Sequence, residues 1–439
     1  VTFNNNNGTS TSKIYTSLTM YASKNQKVTL PDVPKVKGYT NLGWTTEKGE
    51  TEPEYSAGDT VKITKATQFY AVRRKSNYYT VSYYLGNGST NAAYQKLTQT
   101  VEEGTVVTFA KVPARTGYVN QGWSSKKNSE KATAKAKCTV NKNITLYAVQ
   151  KKAVQLTFHR CDGSTWQKTT LAKGSSYSLP GVRDAEGYTF MGWSTKPMQS
   201  VSPQYEAEEK ITVNGNVDLY AVVFNRTTET DLTEDQLPQV DIYKYKQVIF
   251  VGDSRTEFME NVLTGMGESA TKNVKFVCSA GKGLDWFTTT GWAQLYSIVQ
   301  HDSNSILSKK TAVIFNFGVN DLSKSADYAE YYNWIAPQLK SKGCELYFMS
   351  VNPVNRLMLP NAGRADRSEA AVRSFNQYMK ANLSSAYTYI DMYSYLKSTG
   401  YSFASDHYGT GTVDDGLHYT TRTYKRIFAK CMDSLRVPA

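Results

Sequence analysis

Four stretches in the C-terminal half hold residue types that together could do nucleophilic chemistry. The first is VIFVGDSRTEFME (248–260), where Ser254 follows an apolar run and a Gly-Asp step. A serine hydroxyl is a weak nucleophile until a neighbouring base takes its proton. The second is Asp414-Asp415-Gly416-Leu417-His418. Asp415 stands three residues before His418, a spacing that lets its carboxylate hold the imidazole Nδ1 proton and leave Nε2 free as a base. The third is Ser279-Ala280-Gly281-Lys282-Gly283, and the fourth is Gly318-Val319-Asn320-Asp321. Glycine amides in the one and the Asn320 side chain in the other are N–H donors. Such donors stabilise the oxyanion of acyl transfer, typically by ~3–4 kcal/mol each.

Each stretch also has an ordinary reading. Ser254 could cap a helix, with Glu257 at capping-box spacing, and the cap and nucleophile roles are compatible. Gly-rich and Asn-Asp steps are common turns, and an Asp and a His in a loop are commonly solvated. The chain has only four histidines. His159 lies in an N-terminal strand, His301 follows a predicted helix, and His407 lies in a polar loop beside Asp406. A metal site would need two further ligands at suitable spacing, which are missing. No metal or cofactor is expected.

The elements around these stretches make them a set. From 247 onward, apolar runs at 247–252, 275–280, 311–318, 345–351 and 387–391 alternate with helix-compatible stretches such as 327–343 and 368–383. Near-continuous apolar strands separated by helices imply a parallel sheet covered on both faces. Ligands of such sheets gather at the carboxyl ends of the strands. Ser254, the 279–283 glycines and Asn320 all fall at such ends.

The ordered set GDS, a glycine after strand two, GxND and a late DxxH resembles the SGNH (GDSL-type) hydrolase superfamily over about 247–439. That resemblance implies a three-layer α/β/α, flavodoxin-like domain. It implies Ser254 as nucleophile, His418 as general base and acid, and Asp415 as its orienter. The oxyanion donors would be the Ser254 amide, the Gly281 amide and the Asn320 side chain, with Gly283 competing with Gly281. The first block reads GDSR rather than GDSL, which puts Arg255 beside the nucleophile. The loop 352–366, NPVNRLMLPNAGRAD, is expected to shape the acyl pocket, and Arg255, Asn352, Asn355 and Arg356 are candidate substrate contacts. The expected function is a serine esterase for O-acyl groups, foremost O-acetyl on carbohydrate or cell-wall polymer. A glycan-binding protein without turnover, or an O-acyltransferase using the same residues, are the alternatives.

The N-terminal half repeats. GYTNLGW (38–44), GYVNQGW (117–123) and GYTFMGW (187–193) are each followed by a strand-like segment with Tyr-Ala-Val, beginning at Tyr70, Tyr147 and Tyr220. Three β-rich modules are expected at 1–75, 76–152 and 153–225, a linker at 226–246 and the hydrolase domain at 247–439. Recurrence of Trp44, Trp123 and Trp193 at one position favours a packing role over a carbohydrate-binding one. The pattern resembles the Listeria–Bacteroides repeat (internalin B B-repeat). That implies a small β-grasp-like fold, an extracellular bacterial setting and a spacer or adhesive role.

Net charge is +13, and all of it falls in residues 1–226, where Lys and Arg number 29 and Asp and Glu 16. A basic face could attract an anionic polymer or surface, or be merely solvated. No RNA- or DNA-binding signature accompanies it, so nucleic acid is not expected. Five widely spaced cysteines without Cys-x-x-Cys give no support for zinc or a disulfide scaffold. No apolar run approaches the roughly 18–20 residues that span a bilayer. The first residues, VTFNNNNG, have the look of an excised segment, so a signal or anchor could lie outside it.

Overall fold

The computed structural model describes residues 1–8, 12–301, 309–405 and 414–436. It divides into two compact units, Val1–Ala153 and Val154–Ala439. The first holds two repeats. The second holds the third repeat together with the α/β domain.

Each repeat has a three-stranded mixed core sheet, to which the second and third each add a fourth strand, Gln99–Glu102 and Thr165–Ala172. In the first, Gln68–Lys75 lies between Thr2–Asn5, parallel to it, and Tyr39–Thr45, antiparallel to it. A separate antiparallel pair, Lys27–Thr29 with Thr60–Lys62, covers the core. The repeated tryptophans are core residues. Trp44, Trp123 and Trp193 are buried, and each indole N–H donates to a carbonyl thirteen residues earlier, on Pro31, Ala110 and Pro180. A buried indole needs that partner. The glycine before each tryptophan sits at a register shift in the strand pair. Its φ is +152° at Gly43 and +143° at Gly192, and a Cβ there would lie 2.2 and 2.5 Å from the carbonyl oxygens of Tyr55 and Tyr205. No other residue tolerates both constraints.

The α/β domain has five parallel strands: β1 (Tyr245–Gly252), β2 (Val274–Cys278), β3 (Lys310–Asn316), β4 (Cys344–Met349) and β5 (Tyr387–Ile390). Their order is 2-1-3-4-5, the doubly wound flavodoxin-like order. Helices α1 (Ser254–Thr264), α2 (Trp292–His301), α3 (Ser325–Ser341), α4 (Glu369–Asn382), α5 (Met392–Thr399) and α6 (Thr421–Ser434) complete it. Both faces of the sheet are buried. Ile249, Val313 and Phe348 belong to one cluster, and Val248, Ile314 and Tyr347 to the other. That two-sided burial is why the strands read as continuous apolar runs.

The third repeat packs on the α/β domain. Its Met191, Val222 and Phe224 share one buried cluster with Val248, Phe250 and Ile314 of the sheet. Lys397 of α5, also buried, donates to the Met191 carbonyl (2.9 Å) and pairs with Glu206 of the repeat and Glu369 of α4 at 2.9 and 3.0 Å. The segment 226–246, expected as a linker, is likewise anchored, by two apolar side chains and a buried carboxylate. Leu237 and Val240 join the same cluster, and buried Glu229 accepts from Ser402, Thr423 and Arg426. The third repeat and the α/β domain therefore share a core, and removing either would expose large apolar surface.

Candidate active site

Strand β1 delivers the chain to the carboxyl edge of the sheet, and α1 begins at once. Gly252 permits this sharp entry, since a Cβ there would lie 2.0 Å from the Thr256 hydroxyl and 2.7 Å from the Asn316 carbonyl oxygen. The helix cap is Asp253, not Ser254: the Asp253 carboxylate accepts from the Arg255 amide at 3.0 Å. Ser254 occupies the first helical turn with its hydroxyl released from capping. Its Oγ lies 2.9 Å from His418 Nε2.

His418 lies on the strand Asp414–Tyr419. Its Nδ1 lies 2.5 Å from Asp415 Oδ2, while Asp415 Oδ1 accepts from the amides of Leu417 and His418 at 2.8 and 2.7 Å. That carboxylate is thus held in a tight turn and fixes the tautomer, leaving Nε2 as an acceptor for the serine proton. Ser254, Asp415 and His418 are all buried. Burial pulls the His418 imidazole below its ordinary value of 6.5, against the opposing pull of Asp415. Burial alone would raise Asp415, but the His418 hydrogen bond and charge, with the two amides, hold its carboxyl below the ordinary range. The pair therefore sits at neutral pH as a neutral imidazole against a carboxylate, the state a general base needs.

The donors converge from neighbouring strand ends. Among the described residues, the amides of Ser254 and Gly281 have no protein acceptor. Gly281 has φ +70° in an exposed turn, and a Cβ would meet nothing within 4 Å. Gly283 is different: its Cβ position lies 2.3 Å from Asp321 Oδ2, so that glycine admits a packed carboxylate. Asn320 donates one Nδ2 proton to the Lys282 carbonyl at 2.8 Å, which leaves the second available. Its Oδ1 accepts from Arg367 Nη2 at 2.8 Å, and Arg367 Nε also donates to the Val319 carbonyl at 2.7 Å.

Three of the four expected substrate contacts are engaged elsewhere, and the fourth, Asn352, is buried with its side-chain oxygen unpartnered among the described residues. Arg255 is buried, and its guanidinium donates to the carbonyls of Leu417, Asn352 and Pro353 at 3.0, 2.9 and 2.8 Å. It brackets the His418 strand to the segment that follows β4. Asn352 is buried beneath it. Asn355 donates to Val182 and Asp184 of the third repeat. Arg356 pairs with Asp366 and Glu208. The 352–366 loop does reach the site, but through Arg364, whose Nη2 lies 3.4 Å from Asp415 Oδ2, and Arg367 follows just beyond it. Phe258 of α1 adds a ring 4.5 Å from that of His418. His407 lies outside the described residues.

A doubly wound sheet with a Ser–His–Asp chain at its switch point defines a class of hydrolase-type α/β domains. The comparisons narrow that class. Residues 248–431 match the family GDSL-like Lipase/Acylhydrolase, and residues 1–72, 79–149 and 155–222 match the Listeria-Bacteroides repeat domain. The chain thus carries three Listeria–Bacteroides repeats followed by a GDSL/SGNH-type hydrolase domain. It is 28% identical over 186 residues to a protein of Evansella cellulosilytica described as a Gly-rich membrane protein, covering 42% of this chain and 20% of that one. A second protein of that organism, described as a membrane protein, is 25% identical over 192 residues, covering 44% and 27%. The match therefore spans only about a fifth to a quarter of these relatives. Among solved structures, one from Bacteroides fragilis described as an acylhydrolase covers 46% of this chain and 92% of its own, at 16% identity and a TM-score of 0.31. One described as an acetyl xylan esterase covers 43% and 99%, at 11% identity and a TM-score of 0.30. No helix among the described residues is long and apolar enough to cross a membrane.

Proposed function

We propose that this protein is a serine esterase that hydrolyses O-acyl esters, foremost O-acetyl groups, on a carbohydrate or cell-wall polymer outside a bacterial cell. Ser254 Oγ attacks the ester carbonyl as His418 Nε2 takes its proton. Asp415 stabilises the resulting imidazolium without being protonated. The amides of Ser254 and Gly281 and the Asn320 side chain receive the oxyanion, aided by the positive end of α1. His418 then protonates the departing alcohol. A water deprotonated by His418 cleaves the acyl-enzyme, returning the free serine and releasing the acid.

The observation that carries this reading is the chain Ser254 Oγ, His418 Nε2, His418 Nδ1, Asp415 Oδ2, with links of 2.9 and 2.5 Å. The polymer preference rests on the repeats, which support a surface setting, and on the polar character of the 352–366 loop. Incubating the full chain with O-acetylated glycans and measuring released acetate tests it. Acetate release by the wild type, lost in Ser254→Ala, is expected. Hydrolysis of simple aryl esters but of no acetylated glycan would refute the carbohydrate part.

A further inference from the structure

The third repeat touches the catalytic turn itself. Arg226, the first residue after the last strand of that repeat, pairs with Asp414 at 2.6 Å, one residue before Asp415. Arg226 is held in turn by Asp184 (2.8 Å) and by the Thr189 hydroxyl (2.9 Å). The Asp184 side chain is fully buried, and its other oxygen accepts from the Phe190 amide and from Asn355 Nδ2 at 2.9 and 2.8 Å. The Asn355 backbone N–H then donates to the Gly416 carbonyl at 2.8 Å. The turn is tight at that point: Gly416 has φ +66°, and a Cβ would lie 2.5 Å from the Asn355 carbonyl oxygen. Two separate tethers thus run from Asp184 of the repeat to the Asp414–His418 turn. One passes through Arg226 to Asp414, the other through Asn355 to Gly416.

We propose that the third repeat is a positioning module of the active site, with Arg226 and Asp184 bracing the turn that carries Asp415 and His418. The two amides on Asp415 Oδ1 fix the shape of the turn, but its place relative to Ser254 is set by contacts from outside it, and its two reacting side chains must be held to a fraction of an ångström. Misplacement of a catalytic group by about 1 Å can cost 10²-fold in rate. Arg255 and Arg364 brace the same turn from within the α/β domain, so loss of the repeat's two tethers is partial in effect. The kinetic part of this proposal rests on the esterase reading.

The test uses the full chain. Asp414→Ala removes the tether on the turn side and leaves the Arg226–Asp184 pair intact. Arg226→Met removes it from the repeat side, and Arg226→Lys keeps a cation. The expected result for Asp414→Ala and Arg226→Met is a fall of about tenfold in kcat with KM unchanged. The double variant is expected to be no worse than the poorer single one, and Arg226→Lys to recover part of the rate. The His418 ring nitrogens, followed by NMR, give a readout independent of turnover: the Nδ1 signal is expected to shift or broaden in both variants. Wild-type kcat with an unchanged Nδ1 signal would overturn the brace, as would singles whose losses multiply in the double. A changed signal in a protein whose wild type hydrolyses no ester would uphold the brace and refute the esterase reading. Should Arg226→Met fold poorly through its orphaned Asp184, Asp414→Ala alone decides between these outcomes.

Discussion

Arg367→Leu is the substitution whose effect follows most directly from the geometry. Asn320 offers an oxygen and an NH2 group that differ only in hydrogen-bond character. Its orientation is fixed twice, by Arg367 donating to Oδ1 and by the Lys282 carbonyl accepting from Nδ2. Flipping the amide would set oxygen against carbonyl and NH2 against guanidinium. A hydrogen bond to a charged group is worth about 1.5–3 kcal/mol, and about 1.4 kcal/mol corresponds to tenfold. Losing the Arg367 side of the lock while Lys282 remains should therefore cost about tenfold in kcat. Deleting the donor outright with Asn320→Ala should cost about 10²–10³-fold. The assay is steady-state hydrolysis of p-nitrophenyl acetate, with kcat and KM resolved. The double variant should match Asn320→Ala alone, since an absent amide has no orientation to lose. Multiplying losses, or a wild-type kcat in Arg367→Leu, would refute the positioning role of Arg367.

Other outcomes follow from the same geometry. Because His418 is pulled below 6.5 and works as a base only when neutral, the acid limb of kcat/KM should fall below pH 6.5. Asp415→Asn removes the interaction that raises the imidazole, so that limb should move lower still, with kcat down by roughly 10⁴. Phe224→Ala deletes a buried ring from the shared core, at about 3–5 kcal/mol. At about 2 °C per kcal/mol for a unit of this size, the α/β domain should melt about 6–10 °C lower by calorimetry. A repeat that merely tethers would leave that transition in place.

Much of the α/β domain was legible because a sheet buried on both faces leaves an apolar run for every strand. The run at 247–252, for example, became Tyr245–Gly252. The site was legible at strand ends, where chemistry constrains residue type. What escaped were contacts between segments distant in the chain. Arg255, Asn355 and Arg356 are polar residues near the nucleophile or in its loop, and polarity alone cannot distinguish a substrate contact from a buried bracket. Arg364 and Arg367 carry no spacing signal at all. Ser254 lost the cap to Asp253 because both residues suit that role, and only the backbone dihedrals choose between them.

The docking of the third repeat did leave a trace in the sequence. The repeats align strand on strand, and Phe224 stands where the first two have Arg74 and Lys151. Met191 stands where the second has Gln121 and the first Leu42. Residues 153–225 also hold six basic and seven acidic residues, so the charge of +13 belongs to residues 1–152, which hold 22 and 9. The position that is basic in the first two copies and apolar in the third, at Phe224, is one where the third repeat packs on the sheet.

Everything proposed for the site depends on Ser254 attacking the ester. Full-length wild type and Ser254→Ala should be compared for p-nitrophenol release from p-nitrophenyl acetate, with intact-mass analysis of the quenched protein. Nucleophilic attack by Ser254 predicts a transient gain of one acetyl group on the wild type, none on the variant, and a rate at least about 10³-fold lower in the variant. Equal rates, or an acetyl group carried by a residue other than Ser254, would contradict it.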